Sequence, residues 1–186
     1  MCKFERRLSA HKKIMAINMD LNLKRYSLLI FILAFSSCSY AQKSQTEFDG
    51  MLDKLLSHSV KEVKPSDVSV KSDVVFLDTR EKEEYEISHI ENAIWIGFDN
   101  FDKKSLAKIP KSKPIVVYCS VGYRSEKITE RMEKLGFKDV SSLYGGIFSW
   151  KDAGLKVVDS SGKPTEKVHT YNKKWSQWLK NGEKVY

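Results

Sequence analysis

Apolar positions along this chain recur in two rhythms. "TEFDGMLDKLLS" places Phe48, Leu52, Leu55 and Leu56 at helical spacing and predicts a short amphipathic helix, with Gly50 as its weak point. "DVVFLDTRE" and "PIVVYCS" are instead compact apolar runs, rich in β-branched and aromatic residues. They predict two buried strands, the first ending near Asp78 and the second carrying Pro114 at its first position. Around them, "VKEVKPSDVSV" predicts a small strand and one helical turn capped by Ser66 or Asp67 after Pro65. "KEEYEISHI" reads as a brief helical turn and loop, "AIWIGF" as a short strand, and "KKSLAKIPKSKP" as a helix stopped by Pro110. "SEKITERMEKLGF" spaces Ile128, Met132 and Leu135 along one helix face, opened by Ser125 or Glu126 and closed by Gly136. "DVSSLYGG" predicts a strand and a glycine turn, "IFSWKDAG" a short helix closed by Gly154, and "LKVV" a final strand. The last stretch, "PTEKVHTYNKKWSQWLKNGEKVY", reads as a basic C-terminal helix laying Trp175, Trp178 and Leu179 onto the domain. Apolar strands alternating with helices imply a small α/β fold whose mainly parallel sheet is covered on both faces.

Composition changes one part of this picture. The chain has 186 residues, 41% hydrophobic and 30% charged, which suits one globular domain with extensions. Its formal charge of +8 suggests a nucleic-acid partner until the basic residues are located. Residues 1–41 hold seven Lys/Arg and two Asp/Glu, so the remainder carries 25 basic against 22 acidic residues, or +3. No nucleic acid is expected.

The same 41 residues look like an export signal. Lys24 and Arg25 precede an apolar run from Leu28 to Phe35, followed by Ser39-Tyr40-Ala41 before Gln42. Cleavage after Ala41 is expected, with translation starting at Met15 or Met19, and a periplasmic location follows. A minority alternative cuts before Cys38 and anchors that cysteine to the envelope through lipid. Phe35 weakens it, because a small aliphatic residue is usual there. The expected organisation is a leader over 1–41, a helical extension over 42–66, a catalytic-looking domain over 67–159 and a C-terminal helix over 160–186. After cleavage, Cys119 is the one cysteine of three that remains. An exported protein normally pairs its thiols, so this one is either inert by burial or kept for chemistry.

The surroundings of Cys119 favour chemistry. A strand leading through a short loop into a helix N-terminus aims backbone N–H groups at one point, where an anion is stabilised. "CSVGYR" suits that geometry: Gly122 lets the loop curl, and Arg124 adds charge beside a sulfur that would react as a thiolate. On position alone, a buried and inert Cys119 is an equal reading.

Two further blocks shift the balance. "LDTREKEEYEISHIENAIWI" carries an Asp-x-Arg, then Glu-Tyr, a His-Ile pair and an alanine; "LYGGIFSWKDAGLKV" carries Gly-Gly, Trp and Ala-Gly. With "VVYCSVGYRS" between them, the stretch from Val68 to Val158 resembles the rhodanese family of sulfurtransferases. The resemblance implies a rhodanese-like α/β fold with a five-stranded sheet flanked by helices on both faces. It assigns Cys119 as the nucleophile that becomes a persulfide. It also assigns Ser120, Val121, Gly122, Tyr123 and Arg124 as the anion-binding loop, in ping-pong transfer without metal or organic cofactor. The implied partners are a small sulfane donor such as thiosulfate or a persulfide, and a thiol, protein thiol or cyanide acceptor. Membrane contact is expected only through lipid on Cys38.

Loop length separates this from tyrosine phosphatases, which place a longer loop between Cys and Arg to hold a tetrahedral phosphate. Here four residues intervene, a cradle sized for one sulfur. Two departures stand out. Ser120 occupies a position that is basic in many thiosulfate users, and Ser88 and Asn92 stand where glycines are usual. Asp78 and Arg80 are expected to form a supporting ion pair, and His89 a hydrogen-bonded turn. Ser120, Tyr123, Trp95 and Tyr144 are candidates for the entrance. His11, His58 and His169 lack metal-binding spacing. A non-catalytic rhodanese-like module that binds a protein partner is the rival function, and an intact cysteine argues against it.

Overall fold

The computed structural model describes residues 45–69, 71–99, 101, 106–107 and 109–186. The expected leader, with Cys2, His11 and Cys38, lies outside these residues, as does most of the helix expected before Pro110. Phe48–Tyr186 form one compact unit.

The apolar runs become strands, as their burial on both faces requires. Helix α1 (45–55) leads to β1 (Glu62–Val63) and a single helical turn, α2 (Pro65–Val68). Pro65 itself opens that turn, and the Asp67 carboxylate accepts from the Lys64 N–H. Next come β2 (Val75–Asp78), α3 (Lys82–Ile87), β3 (Ile94–Trp95) and β4 (Ile115–Tyr118). Then follow α4 (Tyr123–Lys134), β5 (Val140–Leu143) and α5 (Gly146–Asp152). The sheet is parallel throughout, in the order β1-β5-β4-β2-β3.

Strand β4 is central and buried along its whole length, and its pleat sorts its residues between two cores. Ile115 and Val117 join Leu77, Ile128 and Met132 under α4. Val116 and Tyr118 join Phe48 and Leu52 of α1 and Ile147 and Phe148 of α5. Helices therefore cover both faces, as expected of the fold.

Strand order decides where a ligand can sit. From β2 the chain moves outward to β3, whereas from β4 it moves the other way to β5. The crevice at the carboxyl ends of β2 and β4 is thus the switch point, where open α/β sheets bind ligands. Asp78 and Tyr118 are paired in register there, and the next residue after Tyr118 is Cys119.

Three expectations need correction. Helix α4 starts at Tyr123 rather than at Ser125 or Glu126, because Gly122 takes φ 119° and acts as its cap. Arg124 therefore sits in the first helical turn. The "LKVV" strand, β6 (Val157–Val158), stays out of the main sheet. It pairs antiparallel with β7 (Pro164–Thr165) and bridges His89. The C-terminal segment is no continuous helix: β8 (Lys167–His169) pairs parallel with β9 (Glu183–Val185) around α6 (Lys173–Ser176). Its alternation of Lys, Val and His over 167–169 suits a strand, and Gly182 at φ 120° turns the chain back. The tryptophans still pack inward: Trp178 lies 5.9 Å from the Phe48 ring, and Leu179 is fully buried.

Candidate active site

The loop from Cys119 to Gly122 is shaped from behind by α5. The Ile147 and Phe148 amides donate to the carbonyls of Cys119 and Ser120 at 2.9 and 3.2 Å. Those two carbonyls are thereby turned toward α5. The Gly122 N–H donates to Cys119 Sγ at 3.1 Å. Close contact demands glycine at 146, since a Cβ there would lie 2.3 Å from the Cys119 oxygen and at a φ of 57°. Ser125 Oγ, held by the Gly122 carbonyl and Ser142 Oγ at 2.9 Å each, lies 3.9 Å from Sγ. Cys119 is a free thiol, almost wholly buried, at the floor of a cleft of about 290 Å³.

Arg124 is positioned by a residue from another element. Glu84 of α3 accepts from Arg124 Nη1 at 2.8 Å and Nη2 at 3.1 Å, and from Ser120 Oγ at 3.0 Å. Arg124 Nη2 also reaches Ser120 Oγ at 3.1 Å. Burial pushes the Glu84 carboxyl up. The Arg124 hydrogen bonds and charge, with help from Arg80 and the Glu81 amide, outweigh burial and hold it below the usual carboxylate range. Burial likewise opposes the Arg124 charge, but its electrostatic interaction with the neighbouring Cys119 and its hydrogen bonds and ion pair with Glu84 outweigh burial and raise its proton affinity.

Known proteins resemble this chain in sequence and fold. Residues 66–153 match the rhodanese-like domain. The chain is 35% identical over 101 residues to the thiosulfate sulfurtransferase GlpE of Coxiella burnetii, a match spanning 54% of this chain and 90% of that protein. The chain belongs to the rhodanese-like family. It is also 37% identical over 94 residues to the tRNA uridine(34) hydroxylase of Escherichia coli, covering 46% of this chain but 27% of that enzyme. Among solved structures, the BH2092 protein from Bacillus halodurans superposes with a TM-score of 0.51 and 25% identity, over 63% of this chain and 88% of that one.

Within this rhodanese-like site, Cys119, Ser120, Val121, Tyr123 and Arg124 all line the cleft, while Gly122 is absent from the lining and caps α4. Asp78 and Arg80 stand apart from the cleft lining. They form a fully buried pair in which Arg80 Nε donates to both Asp78 oxygens at 3.0 and 3.1 Å, and Nη2 donates to Oδ2 at 2.7 Å. Arg80 Nη2 also holds the Ser88 carbonyl at 2.6 Å, and the Arg80 carbonyl accepts from Trp95 Nε1 at 2.9 Å. The pair therefore staples the β2–α3 turn to the end of α3, while the Arg80 backbone carbonyl ties the same turn to β3. Trp95 is engaged there and Tyr144 bonds Asp49 at 3.4 Å, and neither candidate is among the residues that line the cleft. His89 stacks on Tyr85 and its Nδ1 bonds the Tyr85 carbonyl, a turn residue as expected. Among the described residues no cluster of His, Cys, Asp or Glu could hold a metal, and no helix is long and apolar enough to cross a membrane.

Sequence reasoning missed Glu84, Tyr171 and Trp175. Glu84 stood in the quoted "EEYE" block beside Tyr85, but nothing local indicates that its partner lies 40 residues away. Tyr171 and Trp175 line the cleft from the C-terminal segment, which had been read as a packing helix.

Proposed function

We propose that this protein is a sulfurtransferase in which Cys119 carries a sulfane sulfur as a persulfide. The observation that carries this reading is the Gly122 N–H aimed at Sγ from the cap of α4, inside a loop turned by α5. The thiolate attacks the outer sulfur of a donor such as thiosulfate, the donor's S–S bond breaks, and sulfite departs with the electron pair. The Cys119 persulfide anion then rests among the loop amides and the Arg124 charge. A thiol or cyanide attacks its terminal sulfur and returns Cys119 to the thiolate.

Full-length protein incubated with a sulfane donor should gain the mass of one sulfur atom on Cys119, and Cys119→Ser should gain none. Failure of every sulfane donor to load Cys119 counts against transfer. Retained cellular function in Cys119→Ala would favour a non-catalytic module that binds a protein partner. The leader-like stretch before Gln42 supports an exported, periplasmic protein. Intact mass of the mature chain distinguishes a start at Gln42 from an acylated start at Cys38.

A further inference from the structure

The cleft over Cys119 is walled partly by residues outside the matched domain. Leu55 comes from α1, and Tyr171 and Trp175 come from the C-terminal segment. Phe98 and Tyr123 continue the apolar rim. Tyr171 is 58% exposed and Tyr123 45%, so their rings are open to an incoming molecule. Tyr171 holds a left-handed φ of 65°, uncommon for a large aromatic residue. Its neighbours hold it in place: its N–H donates to His169 Nδ1 at 3.2 Å, and Asn172 Oδ1 caps α6 by accepting from the Lys174 and Trp175 amides.

Charge on the lining disfavours a dianion. Among the described residues, the charged ones that line the cleft are Glu81, Asp99 and Arg124. The Arg124 guanidinium is already paired with Glu84 and lies 3.6 Å from Glu81. A doubly charged donor thus meets two carboxylates, one cation already engaged, and aromatic faces of negative quadrupole. An apolar body meets surfaces that remove it from water. The cleft is at the lower end of small-molecule sites, which run from about 300 Å³, and so suits a small organic molecule.

We propose, resting on the persulfide reading above, that Leu55, Tyr171 and Trp175 make this site select small organic sulfane donors bearing an apolar body and one negative charge over the inorganic dianion. With a thiosulfonate, R–SO2–S⁻, the Cys119 thiolate attacks the outer sulfur and a new S–S bond forms. The donor's own S–S bond breaks and the sulfinate R–SO2⁻ leaves with the electron pair, so charge and oxidation level balance without a further reactant.

Three donors separate body from charge: benzenethiosulfonate, methanethiosulfonate and thiosulfate, each assayed with cyanide as acceptor and by mass of Cys119. Benzenethiosulfonate should exceed methanethiosulfonate in kcat/KM by about tenfold, the discrimination expected of an apolar pocket for added apolar bulk. Thiosulfate should be the poorest. Tyr171→Asn, which removes the ring but suits a left-handed backbone, and Trp175→Ala should each lower the benzene-to-methane ratio several-fold. Because the ratio is taken within one preparation, partial unfolding and the donors' intrinsic reactivities cancel from the comparison with the parent protein. An unchanged ratio in both variants, or a preference for thiosulfate, overturns the proposal while leaving the persulfide reading intact. No sulfur on Cys119 from any of the three overturns both.

Discussion

Two arginine–carboxylate pairs lie near the carboxyl ends of the central strands, with similar chemistry and different surroundings. Asp78–Arg80 is closed: both side chains are fully buried, and the pair also holds the Ser88 carbonyl. Glu84–Arg124 is open: the carboxylate is buried, but the arginine side chain keeps 17% of its exposure and lines the cleft beside Cys119. Taking two charges out of water costs several kcal/mol per ion, and close geometry recovers this only while both partners remain. The closed pair therefore works as a staple for a turn. The open pair holds one charge on the cleft that Cys119 lines, where the proposed persulfide anion would be stabilised. The lesson is that an ion pair's role follows from what its outer face meets, and residue type alone does not reveal it.

The comparison breaks most sharply at the closed pair. Asp78→Ala leaves Arg80 buried without its counter-ion and should cost about 3–5 kcal/mol in denaturant unfolding, enough to threaten a marginally stable domain. A loss no larger than that of a surface variant would show the pair to be dispensable. At the open pair the order of effects should reverse. Glu84→Gln should lower kcat/KM for sulfur transfer by about 10- to 100-fold through misplacement of Arg124, with a smaller stability loss than Asp78→Ala. Equal stability losses from the two variants would erase the distinction.

Acid sharpens the same contrast. The Glu84 carboxyl lies lower in the folded chain than in the unfolded one, so its interactions stabilise the fold at neutral pH. That stabilisation fades as the pH falls through the lowered value. Unfolding measured from neutral pH downward should thus fall less steeply in Glu84→Gln than in the parent chain. The smallest effect is expected at Glu81, whose 3.6 Å contact with Arg124 is half exposed. Glu81→Gln should change stability by under about 0.5 kcal/mol, the scale of exposed ion pairs.

The α/β alternation and the cysteine loop were legible in the residue order because both arise from short-range rules. Strands such as Ile115–Tyr118 announce themselves through continuous apolar runs, and the loop through Gly122 and the helix that follows it. The expected opening at Ser125 or Glu126 lies two or three residues past the true start of α4, because the left-handed Gly122 serves as its cap, a backbone role that outranks the side-chain preference of Ser125. "LKVV" was correctly a strand, yet its pairing with Pro164–Thr165 depends on a turn between them and on the His89 bridge.

Local pattern determined that this chain would build a parallel sheet with a cysteine at the end of its central strand and an arginine between that cysteine and the body of the next helix. Tertiary structure alone decided what surrounds that sulfur. Glu84 comes from 40 residues upstream of Arg124, and the amides that turn the loop come from α5. Tyr171 and Trp175 return from the end of the chain to wall the cleft. Periodicity and turn chemistry act over a few residues and are written in neighbouring letters. Charge pairing and cleft shape act through space, between segments that only the packed fold brings together.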